Sequence, residues 1–465
     1  MLMIDFKDTI YALSSPWGIS GVAVIRVSGS QSRKILKQLC SLSNPISRKV
    51  YLKSVFDLDK NLIDKGLVSF FESPYSFTGE DVIEFHLHGS NAVFRKLLST
   101  INKFKGLRPS EPGEFSKRAF INKKINLLEA EGINNLINAE TEQQRQIGVS
   151  QSFGSLNKVC NRWKDQMLEI SSIVDAQIEF EEEDENIVKK DIKKGLLNIV
   201  KEIKKALQVF EISSQIVSGL DVLIFGPPNA GKSSMFNLIN KEKKSIVSKQ
   251  LGTTRDQITS AINLDGFKIN LLDSAGLRIS VEKVEKEGIQ RTLKSLKKIK
   301  RLILVLSPDS LKDKNINFLT ERISNIKDQR LLVVYNKSDL KCSKDQKKLW
   351  ISRVPSLKNY RSISISCVSN DKNHKMYIKI IKAIKNTFFK INLKNSEDYF
   401  FTELRHKEHL KKALRFLEQA CSLSIKIDIL SEEIRLALAE LEKINGKIDF
   451  EDKLSIIFSK FCIGK

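Results

Sequence analysis

GPPNAGKS, residues 226–233, is the stretch that decides the fold. It follows the apolar run DVLIF (221–225) and opens an amphipathic run at 234–239. That is the strand, loop and helix order in which G-x4-G-K-[ST] forms a phosphate-binding loop. Its glycines allow backbone N–H groups to approach phosphate oxygens, Lys232 offers charge to the β and γ phosphates, and the Ser233 hydroxyl is a Mg²⁺ ligand. Asn229, Ala230, Gly231 and Ser234 complete the loop and the first helical turn.

Working outward, apolar runs at 268–273, 301–306, 331–335 and 362–366 alternate with polar or helical stretches, the pattern of a parallel sheet. NKSD (336–339) follows the third of these runs. A carboxylate at Asp339 accepts hydrogen bonds from guanine N1–H and the exocyclic amine, donors that adenine lacks. An unpaired polar group costs about 1–3 kcal/mol, so the spacing selects GTP over ATP. Asn336 and Lys337 flank the same base position, and Ser366 and Cys367 stand where a backbone cap on guanine is expected. Between loop and specificity motif lie GTTRD (252–256) and DSAG (273–276), which fit two nucleotide-sensing switches. Thr254 completes a Mg²⁺ shell, Asp273 holds the metal through water, and the Gly276 N–H senses the γ-phosphate. Gly252, Thr253, Ser274 and Ala275 line the same phosphate side. Leu277 stands where many such enzymes orient water with Gln, so the water-orienting group comes from elsewhere; Glu285 is the candidate.

The flanks read differently. Residues 1–120 show short strands (21–27, 66–71, 82–87) and form an α+β unit. Helical spacing runs through Leu127, Ala130, Ile133, Leu136 and Ile137 to Trp163, Leu168 and Val174, and makes 121–218 a helical region. Helical periodicity returns over 387–465, clearest in EEIRLALAEL (432–441). The fold class expected is multidomain α/β and α, with the P-loop domain (219–386) inserted between two parts of one helical domain whose ends meet in space.

Composition bounds the rest. The chain has 465 residues, 78 Lys and Arg against 55 Asp and Glu, and a formal charge of +23, which favours a polyanion such as nucleic acid. The six cysteines are scattered without metal-ligand spacing, which speaks against a zinc site or a disulfide framework and for a reducing, cytoplasmic setting. No apolar run reaches the length of a membrane span.

The motif string GPPNAGKSSMFN, GTTRD, DSAG, NKSD and FCIGK (461–465) resembles the MnmE/TrmE family. So do DTIYAL (8–13), VIRVSG (24–29), SFTGEDVIEFHLHG (76–89) and PGEFSKRAF (112–120), which spread the resemblance over the whole chain. It implies GTP hydrolysis coupled to an aminomethyl-type modification at C5 of the wobble uridine of certain tRNAs, jointly with the FAD-containing partner MnmG (GidA), in a heterotetramer or larger complex. It implies a homodimer whose G domains approach each other, K⁺ in place of an arginine finger, and a tetrahydrofolate derivative (5-formyl or methylene) as one-carbon source, with 1–120 the folate-binding and dimerisation domain. On this resemblance Asn229, Ser248, Gln250 and Thr253 are K⁺ ligands, Ser248 also lies in the nucleotide site, and Glu285 is catalytic. Arg26, Glu84, Lys124 and Lys465 bind folate, and Cys462 is a second catalytic residue. Departures are Ser274 for Thr, Leu251 and Gln250 before the GTTRD glycine, Asn126 for Asp and Glu179 for Asp. Two other readings share part of the evidence: a ribosome-assembly GTPase of the Era/Der type, and a nucleotide-gated folate and tRNA scaffold without base chemistry of its own.

Overall fold

The computed structural model describes residues 8–180, 185–242, 259–264, 266–273, 299–312, 330–340, 345–367, 373–388, 399–422, 426–446, 454, 457–459 and 461–464. Two compact units emerge, one of Met1–Ile137, Gly148–Leu207 and Glu403–Lys465, the other of Asn138–Ile147 and Gln208–Thr402. The multidomain α/β and α fold class holds, with two six-stranded sheets and twelve helices among the described residues.

The first unit begins with β1 (Thr9–Leu13), β2 (Ser20–Ser28), α1 (Ser32–Cys40), β3 (Val50–Phe56), β4 (Leu62–Phe71), β5 (Val82–Gly89), α2 (Asn91–Ile101) and β6 (Leu107–Pro109). The sheet order is β3-β4-β5-β2-β1-β6, antiparallel except where β1 pairs with β6. The alternation that marked 21–27, 66–71 and 82–87 as strands sorts their side chains onto two faces. One face packs Ile25, Val27, Val68 and Phe85 against Ile35, Leu36, Phe94 and Leu97 of α1 and α2, all fully buried. Burial of each such side chain contributes about 1.5–3 kcal/mol. The other face carries Ser69, Glu84, Arg26 and Ala12 in one registered row across four strands.

The same unit continues through α3 (Glu114–Ile121), α4 (Leu127–Ile137) and α6 (Ser155–Phe180), while α5 (Glu142–Ser152) and α7 (Glu185–Ser218) are divided between the two units, after Ile147 and after Leu207. At Asn126 the side chain accepts from the Glu129 N–H at 2.9 Å, and Glu129 accepts from the Asn126 N–H at 2.9 Å. Asn therefore caps α4 as Asp would. Helices α4 and α5 approach so closely that a Cβ on Gly132 would lie 2.5 Å from the Ser152 nitrogen. Trp163 and Val174 of α6 are buried as their spacing predicts, whereas Leu168, in the same series, is 44% exposed.

The second unit holds β7 (Leu220–Phe225), α8 (Lys232–Glu242), β8 (Thr259–Leu264), β9 (Phe267–Asp273), β10 (Arg301–Leu306), β11 (Arg330–Tyr335), α9 (Gln346–Arg353), β12 (Arg361–Ser364) and α10 (Asn373–Phe388). Its order is β12-β11-β10-β7-β9-β8, parallel throughout except for the β8–β9 hairpin at Gly266, whose φ is +90°. The central strands β7, β10 and β11 are almost uniformly apolar and are buried on both faces. One face packs on α8 and α10 and the other on α9 through Trp350. The first unit closes with α11 (Leu404–Ala420) and α12 (Ile427–Asn445), which pack on each other, and α12 packs on α6.

Candidate nucleotide and anion sites

In the second unit the chain places β9 and β10 on opposite sides of β7. Such a switch point opens a crevice at the C-terminal strand ends. The loop after β7 enters it through Gly226 at φ +150°, Asn229 at +57° and Gly231 at +92°. A Cβ on Gly226 would sit 2.2 Å from the Val305 carbonyl oxygen, and one on Gly231 2.0 Å from Asn336 Nδ2. Only glycine fits at either place. Asn229 is one of the few residue types that tolerates its left-handed conformation.

Lys232 opens α8, and its Nζ donates to the carbonyls of Gly226 at 3.0 Å and Pro227 at 2.8 Å. Ser233 and Ser234 are exposed in the first turn, where unpaired helix N–H groups attract anions, and Ala230 is buried. The specificity motif is stitched to this loop: Asn336 Nδ2 donates to the Ala230 carbonyl at 2.9 Å, and the Asn336 N–H to Leu306 at 2.7 Å. The Ser338 N–H donates to the Ile365 carbonyl at 3.0 Å, which carries the guanine-cap segment along. Lys337 pairs with Asp309 at 2.7 Å. Asp339 is exposed, and its charge adds to burial in pushing the Cys367 thiol up to about 12. Ser366 is buried, and its Oγ finds no hydrogen-bond partner among the described residues. Asp273 ends β9, in register with Ile224 of β7. Ser248, Gln250, Gly252, Thr253, Thr254, Ser274, Ala275, Gly276 and Glu285 lie outside the described residues.

In the first unit, Arg26 Nε and Nη2 both donate to Glu84 Oε1, at 2.9 and 2.7 Å. The guanidinium lies 5.8 Å from the Phe77 ring centre and 5.6 Å from that of Phe115. Phe77 belongs to a loop held from several sides. Glu80 accepts from Ser28 Oγ at 2.6 Å and Arg118 at 2.9 Å, and Thr78 accepts through its carbonyl from Asn122 Nδ2 at 2.7 Å. Burial raises the Glu80 pKa, against the pull of Arg118 and Ser28. The fully buried Arg118 also meets Asp8 at 2.8 Å and Glu114 at 3.0 Å. Burial works to raise Asp8 as well, but Arg108 and Arg118 outweigh it and hold that carboxyl below its ordinary value.

Lys124 approaches the same loop at Gly79, where an added Cβ would lie 3.4 Å from its Cδ. Asn122 Oδ1, two residues away, is buried without a partner among the described residues. Residues 461–464 close on this neighbourhood: Gly113 N–H donates to the Cys462 carbonyl at 3.2 Å and Ser14 Oγ to the Gly464 carbonyl at 3.1 Å. Cys462 is exposed, and Lys465 lies outside the described residues. Arg26, Glu84 and Lys124 thus gather around one loop. Sequence reasoning assigned no role to Phe77, Glu80, Phe115, Arg118 or Asn122, although the first four lie inside motif blocks quoted above and Asn122 stands two residues beyond one. Among the described residues no group of His, Cys, Asp and Glu is arranged to hold a metal, and no helix is long and apolar enough to cross a membrane.

Comparison with known proteins matches the family models "GTP-binding protein TrmE N-terminus" over residues 9–124 and "MnmE helical domain" over 127–462. The protein named tRNA modification GTPase MnmE from Pelagibacter ubique is 38% identical over 98% of this chain and 100% of its own length. Its namesake from Rickettsia bellii is 38% identical over the same shares, and that from Caldicellulosiruptor saccharolyticus is 35% identical over 98% of this chain and 99% of its own. Among solved structures, the G domain of the T. maritima FeoB iron transporter matches 35% of this chain and 98% of that chain at 20% identity, with a TM-score of 0.25. Family models and full-length relatives agree, and the chain belongs to the MnmE/TrmE family of tRNA modification GTPases.

Proposed function

We propose that this chain hydrolyses GTP and uses the cycle to drive modification of tRNA at the wobble uridine. The observation that carries the nucleotide reading is the bond from Asn336 to the Ala230 carbonyl, which fixes the base-reading strand end against the phosphate loop. On this reading Lys232 turns from the Gly226 and Pro227 carbonyls to the β and γ phosphates, and the α8 N-terminus and loop N–H groups hold their charge. Asp339 reads guanine beside Ser366 and Cys367. Ser233 and Thr254 hold Mg²⁺, with Asp273 behind it, and the metal neutralises charge on the phosphates. Gly252, Thr253, Ser274, Ala275 and Gly276 form the switches.

The finer steps rest on the family resemblance. Asn229, whose backbone is left-handed at φ +57°, joins Ser248, Gln250 and Thr253 around K⁺. Such an ion stabilises charge that develops on the transferred phosphate. Glu285 orients the attacking water. The Arg26 and Glu84 pair, with two aromatic rings near the Arg26 guanidinium, suits a pterin edge, and Lys124 and Lys465 suit folate carboxylates. The orphan Asn122 Oδ1 offers such a ligand one further acceptor. Cys462 acts on the one-carbon unit, and the chain works as a homodimer with MnmG. The domain division is 1–120, 121–218, 219–386 and 387–465.

Steady-state GTP hydrolysis in KCl and in NaCl, alongside Glu285→Ala and Asn229→Ala, tests the catalytic part. Activation by K⁺ that both substitutions abolish is expected. Equal rates in the two salts with a harmless Glu285→Ala would remove the K⁺-dependent mechanism.

A further inference from the structure

Positive charge is unevenly spread. From Gln346 to Phe388 the sequence holds ten Lys and Arg against one acidic residue, Asp371, so this short stretch carries +9 of the chain's +23. In α10 the apolar positions Tyr377, Ile380, Ile384 and Phe388 are buried in the core of the second unit. Lys375, Lys379 and Lys382 are exposed at i, i+4 and i+7, and the partly buried Lys385 follows at i+10. They form one stripe down the outside of the helix. The stripe runs about 15 Å at 1.5 Å per residue, over which duplex nucleic acid carries about nine phosphates.

The stripe has a neighbour. Lys379 Nζ donates to the Ser364 carbonyl at 2.7 Å and ties α10 to β12, the open edge of the sheet. Exposed Lys358 and Arg361 lie just before and at the start of that strand. None of the described residues from Gln346 to Phe388 is acidic, which separates this flank from the α6 and α7 region, where Arg162 meets Glu202 and Lys204 meets Glu418.

We propose that the outer face of α10 and the adjoining edge of β12 form a docking surface for the phosphate backbone of RNA, an inference that rests on the tRNA reading above. Lys is a point charge with no fork for bidentate base reading, so this surface grips phosphate without reading sequence. A lipid surface fits less well, because the helix spends its apolar side on the core and exposes only Ile378.

The test measures tRNA binding by the full chain across a series of KCl concentrations. It compares the unmodified chain with Lys375→Gln/Lys382→Gln, and with Lys201→Gln/Lys411→Gln in the other unit. In the first variant the slope of log affinity against log salt should shrink by about two and affinity near 0.15 M salt should fall roughly 30-fold. RNA-free GTP hydrolysis should stay unchanged and so report an intact fold. The second variant should bind nearly as the parent does. Equal losses in both variants would reduce the effect to net charge and overturn the surface. An unchanged slope in the first variant, or its selective loss of an acidic protein partner, would overturn it while sparing the functional reading. Failure of the unmodified chain to bind tRNA at all would overturn both.

Discussion

Asp339 stands exposed next to Ser338, in a segment bonded to Ala230 through Asn336 and to Ile365 through Ser338, so its backbone is anchored while its carboxylate stays open. Changing it to Asn reverses one acceptor into a donor and leaves the rest in place. Asp339→Asn should lower kcat/KM for GTP roughly 10- to 100-fold and raise that for xanthosine triphosphate, whose ring carries an acceptor where guanine has its amine. Parallel steady-state assays with both nucleotides decide it: equal losses for the two would mean that Asp339 supports the loop and does not read the base. Cys367, whose thiol is raised to about 12 by burial and by the Asp339 charge, should resist thiol reagents that attack thiolates.

At the scale of elements, α11 and α4 are joined by a buried polar network. Arg405 donates to both Glu131 oxygens at 2.7 Å, and His406 Nε2 meets Glu131 at 2.9 Å while its Nδ1 accepts from the Glu403 N–H at 3.3 Å, capping the helix. Burial pulls the His406 pKa below 6.5. Burial would raise Glu131, but His406 and Arg405 prevail and hold it at about 2. Both groups bind fewer protons folded than unfolded, so stability rises with pH. The His406 contribution is present above about 6.5 and is lost as pH falls below it; the Glu131 contribution is lost from about 4.5 downward toward 2. Denaturant midpoints should therefore fall from pH 7 to 5.5, and His406→Gln should flatten that fall. Glu131→Ala should cost about 3–5 kcal/mol, because it strands the Arg405 charge. A pH slope that survives both changes would place its source elsewhere.

This network was illegible in the sequence, because Glu131 and Arg405 are 274 residues apart and nothing local marks either. What was legible was whatever repeats or is local: the apolar strand runs of the second sheet, the turn at Gly266, and the loop glycines whose positive φ angles the motif demands. Strand β3 is not legible in the sequence, because its exposed Val50 and Leu52 and its buried Val55 break a clean alternation. The loop that seats Phe77 was recognisable as a block, but its internal bonds to Arg118 and Asn122 arise only when three separate segments meet.

For the whole molecule, two units with separate cores should melt as separable transitions. The three tryptophans fall usefully, with Trp17 and Trp163 in the first unit and Trp350 buried in the second. Phe461 packs on Phe458 with ring centres 5.2 Å apart in a core shared with Leu127 and Ala130. Phe461→Ala should destabilise the first unit by about 3 kcal/mol and leave the Trp350 signal of the second unmoved, read by fluorescence in a Trp17→Phe/Trp163→Phe background. A common shift of both transitions would show the two cores to be one cooperative system.

The bond from Ser14 to Gly464 spans 450 residues of sequence. At about 5–20 residues per second of synthesis, Ser14 is made roughly 20–90 seconds before Gly464 exists to meet it. The second unit, encoded in between, can complete its core during that interval. The Arg26 neighbourhood cannot, so its final shape is acquired after the nucleotide-binding unit has already formed. Newly made chains should thus hold nucleotide earlier than they can hold any ligand at the Arg26 face, an order of maturation imposed by the path of the chain alone.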